Sequence, residues 1–286
     1  MTAAGSRGAR FPPVAPLRRL AANWAAWSRA LIRPPCASCS ARQHPAGPPL
    51  SRLAVGTAVA TAAVAAAMLL LDSRAISQHG RLPLWLIALF DEITDFGKSD
   101  WFLVPTGILL VGIAATASPA LGRITYLVLM ALAARLGFVF LAVGLPSLVV
   151  TVGKRVIGRA RPLRIEGRDV YFAPFSWRVD FASFPSGHST TAFAAAVALG
   201  ALFPRARPVL WIYAVLIALS RVILTAHYPS DVLAGAIVGT AGALLVRRWF
   251  AARRLAFVLR PNGSAKPLPG PSLQRIKKVA ARLAGP

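Results

Sequence analysis

The sequence predicts an all-α, polytopic membrane protein with six transmembrane helices, an interfacial helix and an external loop. Three observations lead to this fold class. The chain of 286 residues is 56% hydrophobic with a mean hydropathy of +0.59, its apolar residues come in long blocks, and its charged residues lie mainly between those blocks. A soluble domain has a smaller apolar share and no repeated blocks of spanning length.

The apolar blocks define the six predicted transmembrane helices. They cover residues 53–71, 101–118, 124–152, 189–203, 208–224 and 231–246. Several are close to the ~17–25 residues that a bilayer requires. A further segment, 82–96, is apolar but shorter, and its acidic residues lie outside its apolar helix face. We interpret it as a helix at the membrane interface, anchored by Trp85.

The distribution of charge orients the chain in the membrane. Six spans place both termini on one side. That side then holds 1–52, 119–135, 204–207 and 247–286, which contain many Lys and Arg but none of the nine acids. The positive-inside rule makes this side cytoplasmic. A net charge of +24 can also indicate nucleic-acid binding, but the charge follows membrane sidedness and no recognition module is present, so no nucleic-acid partner is expected.

Three regions follow along the chain. Residues 1–52 are predicted to be a basic, Pro-rich, disordered cytoplasmic arm, 53–248 the six-helix membrane domain, and 249–286 a basic cytoplasmic tail. Residues 273–284 fit an amphipathic helix on an anionic lipid surface, and a disordered tail is the alternative. Arg135, inside the third span, is expected to snorkel to the cytoplasmic face, with a buried partner as the alternative.

The first of three polar motifs ends the third span on the external side. Lys154 and Arg161 are seven residues apart, so they share one helix face if the helix continues, and Pro162 then forces an exit. A collar of snorkelling basic residues is the alternative. That alternative fits poorly on the side of the membrane that carries the acids.

The second motif, residues 184–189, joins the external loop to the fourth span. Its Pro-Ser-Gly sequence is typical of a tight turn, and a helix opens directly after it. A helix N-terminus presents unpaired N–H groups and partial positive charge, which suits a phosphate group. Gly187 allows the backbone to approach an anion, Ser186 can cap the helix or donate to an oxygen, and His188 projects toward the anion.

The third motif joins the fifth and sixth spans and contains Arg221, His227 and Asp231. His227 and Asp231 lie on either side of Pro229, which suits the first turn of a helix. Asp231 can then reach a ring nitrogen of His227, fix its tautomer and leave the other nitrogen facing outward. A structural histidine beside a helix-capping aspartate is the alternative.

Together the motifs supply the groups that phosphoryl transfer needs. Three permanent cations match the equatorial oxygens of a trigonal transition state, and two histidines provide a nucleophile and an acid on opposite sides. Arginine suits bidentate contact with phosphate oxygens, while lysine acts as a point charge. All three motifs lie at span ends on the predicted external face.

The three motifs, in this order and spacing, resemble the complete signature of the type-2 phosphatidic acid phosphatase superfamily, which the vanadium haloperoxidases share. The resemblance implies that His227 attacks phosphorus, Asp231 orients it, and His188 protonates the leaving oxygen and then activates water. It also implies that the phosphoryl oxygens are held by Lys154, Arg161, Ser186, Gly187 and Arg221. No metal or other cofactor is expected, and Asp231 is the only acid in the three motifs.

The leading hypothesis is a membrane enzyme that hydrolyses a lipid phosphate or diphosphate at the outer face. Composition and the resemblance favour a bacterial inner membrane with a periplasmic active-site loop. Aromatic residues of that loop, from Tyr171 to Phe184, support access of a lipid substrate, and ordinary packing of the loop onto the span ends is the alternative. Two alternatives stay open: a non-catalytic lipid-phosphate binder or transporter, and a vanadate-dependent oxidase. The sequence indicates neither the substrate nor the oligomeric state.

Overall fold

The structure, a computed structural model, describes residues 14–34, 50–163, 171–260 and 262–284. These ranges hold ten α-helices and one antiparallel pair of strands. The helices are Val14–Ile32 (α1), Leu50–Leu70 (α2), Asp72–His79 (α3), Leu84–Thr94 (α4), Asp100–Thr116 (α5), Arg123–Ile157 (α6), Gly187–Leu202 (α7), Arg207–Ile223 (α8), Pro229–Ala252 (α9) and Leu273–Ala284 (α10). The strands are Phe257–Leu259 (β1) and Ala265–Pro267 (β2).

Helix α7 lies at the centre of the bundle. It packs against α6, α8 and α9, and small side chains such as Ala194, Ala195 and Ala198 are fully buried along it. Small residues allow neighbouring helices to approach closely on every side. The end of α6, the start of α7, the end of α8 and the start of α9 therefore meet at one end of the bundle.

Two glycines of α9 permit its close approach to α7. A Cβ at Gly239 would lie 2.2 Å from the carbonyl oxygen of Thr190, and a Cβ at Gly235 would lie 2.4 Å from that of Ser186. Contacts this short with backbone atoms are not relieved by rotating a side chain. Glycine at these positions therefore holds the first turn of α7 against α9.

Gly239→Ala is expected to destabilise the protein by about 1–3 kcal/mol, because the added methyl group forces two packed backbones apart. The measurement is the thermal unfolding midpoint in detergent. Gly112→Ala in α5 is the matched control, because a Cβ there meets nothing within 4 Å. We expect this control to unfold at or above the wild-type temperature. Equal midpoints for the two variants would argue against the close α7–α9 packing.

The protein is an all-α membrane protein with about five candidate membrane-crossing helices. Within the described residues, the segments long and apolar enough to cross a membrane are Leu50–Leu70, Leu84–Thr116, Arg123–Ile157, Pro204–Ile223 and Pro229–Ala252. The prediction of six is therefore reproduced in part. Each predicted span contains a helix, but α7 has only 16 residues and is enclosed by its neighbours. The interfacial position of segment 82–96, which contains α4, stays a prediction.

The prediction of a disordered arm over residues 1–52 is wrong for residues 14–32, which form α1. This helix packs against α5. Its Asn23 donates hydrogen bonds of 2.9 Å to the carbonyl oxygens of Ala114 and Ala117 at the end of α5. Composition did not reveal this helix, because it contains no apolar block of spanning length and is held by specific contacts with α5. Residues 1–13 and 35–49 lie outside the described residues.

The predicted cytoplasmic tail, 249–286, is folded onto the bundle. Helix α9 continues to Ala252, and β1 then places the fully buried Phe257 against Phe138 of α6, with ring centroids 4.6 Å apart. Burial of two aromatic rings gives this segment a substantial apolar contact. The boundary predicted at residue 248 therefore does not separate a free tail from the membrane domain.

Arg135 also ties the tail to the bundle. Its guanidinium donates to the carbonyl oxygen of Leu268 at 2.7 Å and to that of Ala131 at 2.8 Å. Arg135 therefore has polar partners inside the protein, which was the alternative to snorkelling at the cytoplasmic face. Helix α10 occupies residues 273–284, and its Val279 packs against α6. Its contact with an anionic lipid surface remains a prediction.

Candidate active site

The first motif lies at the end of α6. The helix ends at Ile157, and Gly158 follows with a left-handed φ of 63°. A Cβ at Gly158 would lie 1.8 Å from the carbonyl oxygen of Ala173, so both the conformation and the space require glycine. Lys154 and Arg161 were predicted to share a helix face if the helix continued. That condition is not met, because the helix ends at Ile157 and Arg161 lies beyond it.

The position of Arg161 is set by backbone hydrogen bonds to the external loop and not by the helix. Its N–H donates to the carbonyl oxygen of Asp180 at 2.8 Å, and the N–H of Ala160 donates to the carbonyl oxygen of Tyr171 at 2.8 Å. These bonds hold the segment after α6 against the external loop. Arg161 interacts electrostatically with Lys154, which remains on the last turn of α6. Loop residues 164–170 lie outside the described residues.

The second motif begins α7 at Gly187, where the sequence predicts a helix start. The N–H of Thr190 donates to the carbonyl oxygen of Ser186 at 3.1 Å. The N–H groups of Gly187, His188 and Ser189 are therefore the first-turn donors of the helix. Ser186 does not cap the helix through its side chain. Its Oγ accepts a hydrogen bond from Ser189 Oγ at 3.1 Å.

The third motif forms the turn between α8 and α9. The carbonyl oxygen of Arg221 accepts a hydrogen bond from the N–H of His227 at 3.1 Å. Helix α9 begins at Pro229, which places Asp231 in its first turn. The carbonyl oxygen of Asp231 accepts from the N–H of Ser186 at 2.9 Å. This last bond joins the third motif directly to the second.

The predicted site residues come together at one end of the bundle: Lys154, Arg161, Ser186, Gly187, His188, Arg221, His227 and Asp231. A Cβ on Gly187 would lie 3.2 Å from Lys154 Nζ, and His188 interacts electrostatically with Arg221 and His227. Among the described residues, no carboxylate lies within 4.0 Å of Lys154 or Arg221. Cations held together in this way create the positive potential that an oxyanion site needs.

The contact between His227 and Asp231 is close but is not a hydrogen bond. His227 Nδ1 lies 3.7 Å from Asp231 Oδ2, beyond the usual limit. Oδ2 accepts instead from Ser183 Oγ at 2.5 Å and from the N–H of Tyr228 at 2.9 Å. Asp231 is therefore fixed by other partners. Catalytic hydrogen bonds often tighten only when substrate binds, so its orienting role remains a prediction.

A buried ionic network behind His227 was missed by the sequence analysis. The side chain of Arg159 is fully buried and donates to Asp231 Oδ1 at 2.5 Å and to Asp72 Oδ2 at 2.8 Å. Its Cζ also lies 4.1 Å from the ring centroid of Tyr228. Two carboxylates share one guanidinium here. The network therefore carries one excess negative charge, which favours positive charge developing on His227.

Asp72 anchors this network to the start of α3. Its Oδ1 accepts from the N–H of Ser230 at 3.0 Å, and its Oδ2 accepts from Ser230 Oγ at 2.6 Å. Two features of the sequence pointed to this pair. Asp72 is one of only nine acids and directly follows an apolar span, and Arg159 is an additional arginine inside the first motif. A charge so close to a span needs a partner.

Thr94 is a second residue that the sequence analysis missed. Its Oγ1 accepts from Arg221 Nη1 at 2.5 Å and from Ser220 Oγ at 3.0 Å. Thr94 is the last residue of α4, so this helix fixes the orientation of a predicted phosphate-binding side chain. No pattern in the sequence singles out this threonine.

Burial lowers the pKa of His227 from 6.5 to about 4, and the nearby Asp231 only partly opposes this effect. A lowered pKa means that the imidazole stays neutral as the pH falls through 6.5 and gains a proton only near 4. A neutral ring keeps a lone pair available. His227 is therefore in the form that a nucleophile requires across the physiological range.

Nuclear magnetic resonance of protein labelled with ¹⁵N-histidine is expected to show this directly. The His227 signals, assigned by their loss in His227→Gln, should keep the neutral pattern from pH 8 down to about pH 5, one unit above the shifted pKa. His79, which lies outside the three motifs, serves as an internal reference. Titration of His227 near 6.5 would contradict the effect of burial.

Metal-ligating residues do not cluster in the parts of the chain that the structure describes. No three His, Cys, Asp or Glu side chains there are grouped so that they could hold a metal ion. Independence from metal remains a prediction for this site, and it needs its own test.

Comparison with known proteins identifies the family of this chain. The profile of the PAP2 superfamily matches residues 135–255. The chain is 36% identical over 211 residues to the lipid A 1-phosphatase of Rhizobium johnstonii, covering 70% of this chain and 82% of the relative. It is 36% identical over 203 residues to the lipid A 1-phosphatase of Rhizobium etli, covering 70% and 86%.

Among solved structures, LpxE of Aquifex aeolicus aligns with a TM-score of 0.44 and 21% identity, covering 62% of this chain and 94% of that chain. The family assignment depends on the profile match and on the two relatives from Rhizobium, which align over most of their length. On these grounds, the chain belongs to the PAP2 superfamily of membrane lipid phosphatases.

Proposed function

We infer that this phosphatase hydrolyses a lipid phosphate or diphosphate at the outer face of a bacterial inner membrane, without a metal ion, through a phosphohistidine on His227. The main support for this proposal is that four side chains lie close together beside the N-terminus of α7: Lys154, Arg221, His188 and His227. Because two relatives are named lipid A 1-phosphatases, lipid A is the first substrate to test.

In the first step, Nε2 of His227 attacks the phosphorus atom. A P–N bond forms, the P–O bond to the lipid breaks, and the leaving oxygen takes a proton from His188. Burial and the neighbouring cations lower the pKa of the free His188 imidazole to about 3, so His188 takes up this proton together with the substrate, whose phosphate charge favours the protonated ring. Negative charge on the equatorial oxygens is stabilised by the three cations, and the first-turn N–H groups of α7 contribute further donors. The network of Arg159, Asp72 and Asp231 stabilises the positive charge on His227.

In the second step, His188 accepts a proton from water, and the water oxygen attacks phosphorus. The P–N bond breaks, inorganic phosphate leaves, and His227 returns to its neutral form. His188 therefore acts first as an acid and then as a base. The same two imidazoles serve both steps, with no group needed from outside the site.

Lipid access from the outer leaflet is supported by the external loop. Phe175 and Trp177 are 73% and 81% exposed, and Phe172 is also exposed. Arg155 holds the loop by donating to the carbonyl oxygen of Trp177 at 2.8 Å. Exposed aromatic side chains of this kind favour the membrane–water interface.

The test is phosphate release by the purified protein across a panel of lipid A, undecaprenyl diphosphate, phosphatidylglycerol phosphate and phosphatidic acid. We expect release from at least one lipid and the same rate with EDTA present. Loss of activity with EDTA would contradict the metal-free mechanism. Lipid binding with no release would favour a binder or transporter, and halide oxidation by peroxide with added vanadate would favour an oxidase.

A further inference from the structure

An apolar groove of about 240 Å³ runs beside the site, between α8 and the end of α4. The 3-10 turn Asp95–Gly97, which follows α4, completes the wall on that side. The apolar residues that line the groove are Ile93, Phe96, Val209, Ile212, Leu216 and Ile217. This groove is separate from the cation cluster, but it starts next to it.

The end of the groove at Ile217 lies close to His188. Ile217 lines the groove, and a Cβ on the buried Gly97 would lie 2.6 Å from Ile217 Cγ2 and 2.9 Å from His188 Cδ2. One small residue therefore separates the groove from this imidazole. In-line displacement puts the leaving oxygen opposite the nucleophile, on the side of the acid. The lipid part of the substrate is attached to that oxygen, so it emerges next to Gly97.

The groove also has the chemistry and size for a hydrocarbon chain. The phenolic O–H of Tyr213, a further lining residue, donates to the carbonyl oxygen of Phe96 at 2.8 Å. The hydroxyl group of Tyr213 is therefore already hydrogen-bonded and does not disfavour an apolar ligand in the groove. From Ile217 to Val209 the groove follows α8 for about 12 Å, at about 1.5 Å per residue. Val209 and Ile212 are exposed on the outside of the bundle, so a chain can enter from the side.

A larger cavity, of about 310 Å³, does not compete for this role. Its lining residues come mainly from α1 and α6, among them Trp27 and Phe140, with further residues from α5, from the end of α9 and from the segment after α9. Phe140 is 14 residues before Lys154 on α6, which places it about 21 Å from the cations along the helix. A lipid held by its phosphate at the site would meet the groove first.

We propose that the groove between α4 and α8 binds the phosphate-proximal part of one hydrocarbon chain of the lipid substrate. The proposal rests on the proposed function. It assigns Ile212 and Leu216 to recognition of the chain, apart from the residues that bind phosphate. Burial of methylene groups in the groove would favour long-chain lipid phosphates over short-chain ones.

The test compares phosphatidate with palmitoyl chains and phosphatidate with hexanoyl chains, both in detergent micelles. In Ile212→Trp and in Leu216→Trp, we expect the ratio of kcat/KM for the long over the short substrate to fall about tenfold. A tenfold change corresponds to roughly two methylene groups that lose their contact with the groove. Val215→Trp is the matched control. Val215 lies on α8, 46% exposed, but not in the groove, and its ratio should equal that of the wild type.

A second measurement does not depend on turnover. In the His227→Ala background, phosphatidate with a diazirine on its acyl chain should crosslink to groove residues, and Leu216→Trp should reduce this labelling. If the ratios of Ile212→Trp and Leu216→Trp match that of Val215→Trp, and labelling is spread over lipid-facing residues, the groove proposal is overturned while phosphatase activity stands. If the wild type releases no phosphate from any lipid, the proposed function itself fails.

Discussion

Replacing His227 by alanine is expected to lower phosphate release by roughly 10⁴-fold or more, because the group that forms the covalent intermediate is removed. Its buried position supports this expectation. The imidazole is neutral, and a network with excess negative charge lies behind it. The measurement is the rate of phosphate release from the best lipid of the panel, in detergent. His79→Ala, a histidine outside the three motifs, is the control.

His188→Ala separates the two histidine roles. We expect it to lower release from an alkyl phosphate about as strongly, but to affect formation of the phosphoenzyme from p-nitrophenyl phosphate much less, because that leaving group needs no acid. With radiolabelled substrate, His188→Ala should therefore accumulate an acid-labile phosphohistidine, since water is no longer activated. His227→Ala should show none. Full activity in His227→Ala would remove the proposed nucleophile.

Replacing Arg159 by methionine is expected to have the largest effect among residues that were not predicted to belong to the site. The change leaves Asp72 and Asp231 buried without their guanidinium, and breaking a buried ion pair from one side costs about 3–5 kcal/mol. Displacement of Asp231 would also shift His227. Misplacing a reacting group by about 1 Å can lower kcat about 10²-fold. KM should change less, because Arg159 contacts Asp231 and Asp72 rather than the cations of the site.

Arg155→Met is the matched control for Arg159→Met. Arg155 belongs to the same motif, but its contacts with Trp177 are exposed, so we expect near wild-type unfolding temperature and kcat. The double variant Arg159→Met with Asp72→Asn should be less destabilised than the sum of its single changes, because one uncompensated charge is removed with the other. Additive losses, or equal behaviour of Arg159→Met and Arg155→Met, would rule out the network as a support for His227.

Much of the site follows from local patterns in the sequence. The start of α7 at Gly187 and the start of α9 at Pro229 are set by turn and helix-start residues. The three motifs follow from spacing, and the segregation of acids predicts that they lie on the external side. A helix that continues to Arg161 was a possibility that the spacing left open. The helix ends earlier because Gly158 adopts a positive φ.

Other features lay beyond sequence reasoning because they depend on distant residues. Asn23 bonds to Ala114 across 91 positions, and Arg135 bonds to Leu268 across 133. Composition predicted a disordered arm for the first of these segments and a basic cytoplasmic tail for the second. Neither expectation could include the docking contacts that fold α1 and the β-hairpin onto the bundle.

The sequence by itself determined the membrane character, the order of the long apolar helices and the set of predicted catalytic groups. Those properties depend on residue type and on spacings of a few positions, which a chain fixes locally. Only the tertiary structure decided what holds those groups in place. Asp72 and Arg159 are 87 residues apart, and burying both charges is favourable only when packing brings them into contact with Asp231.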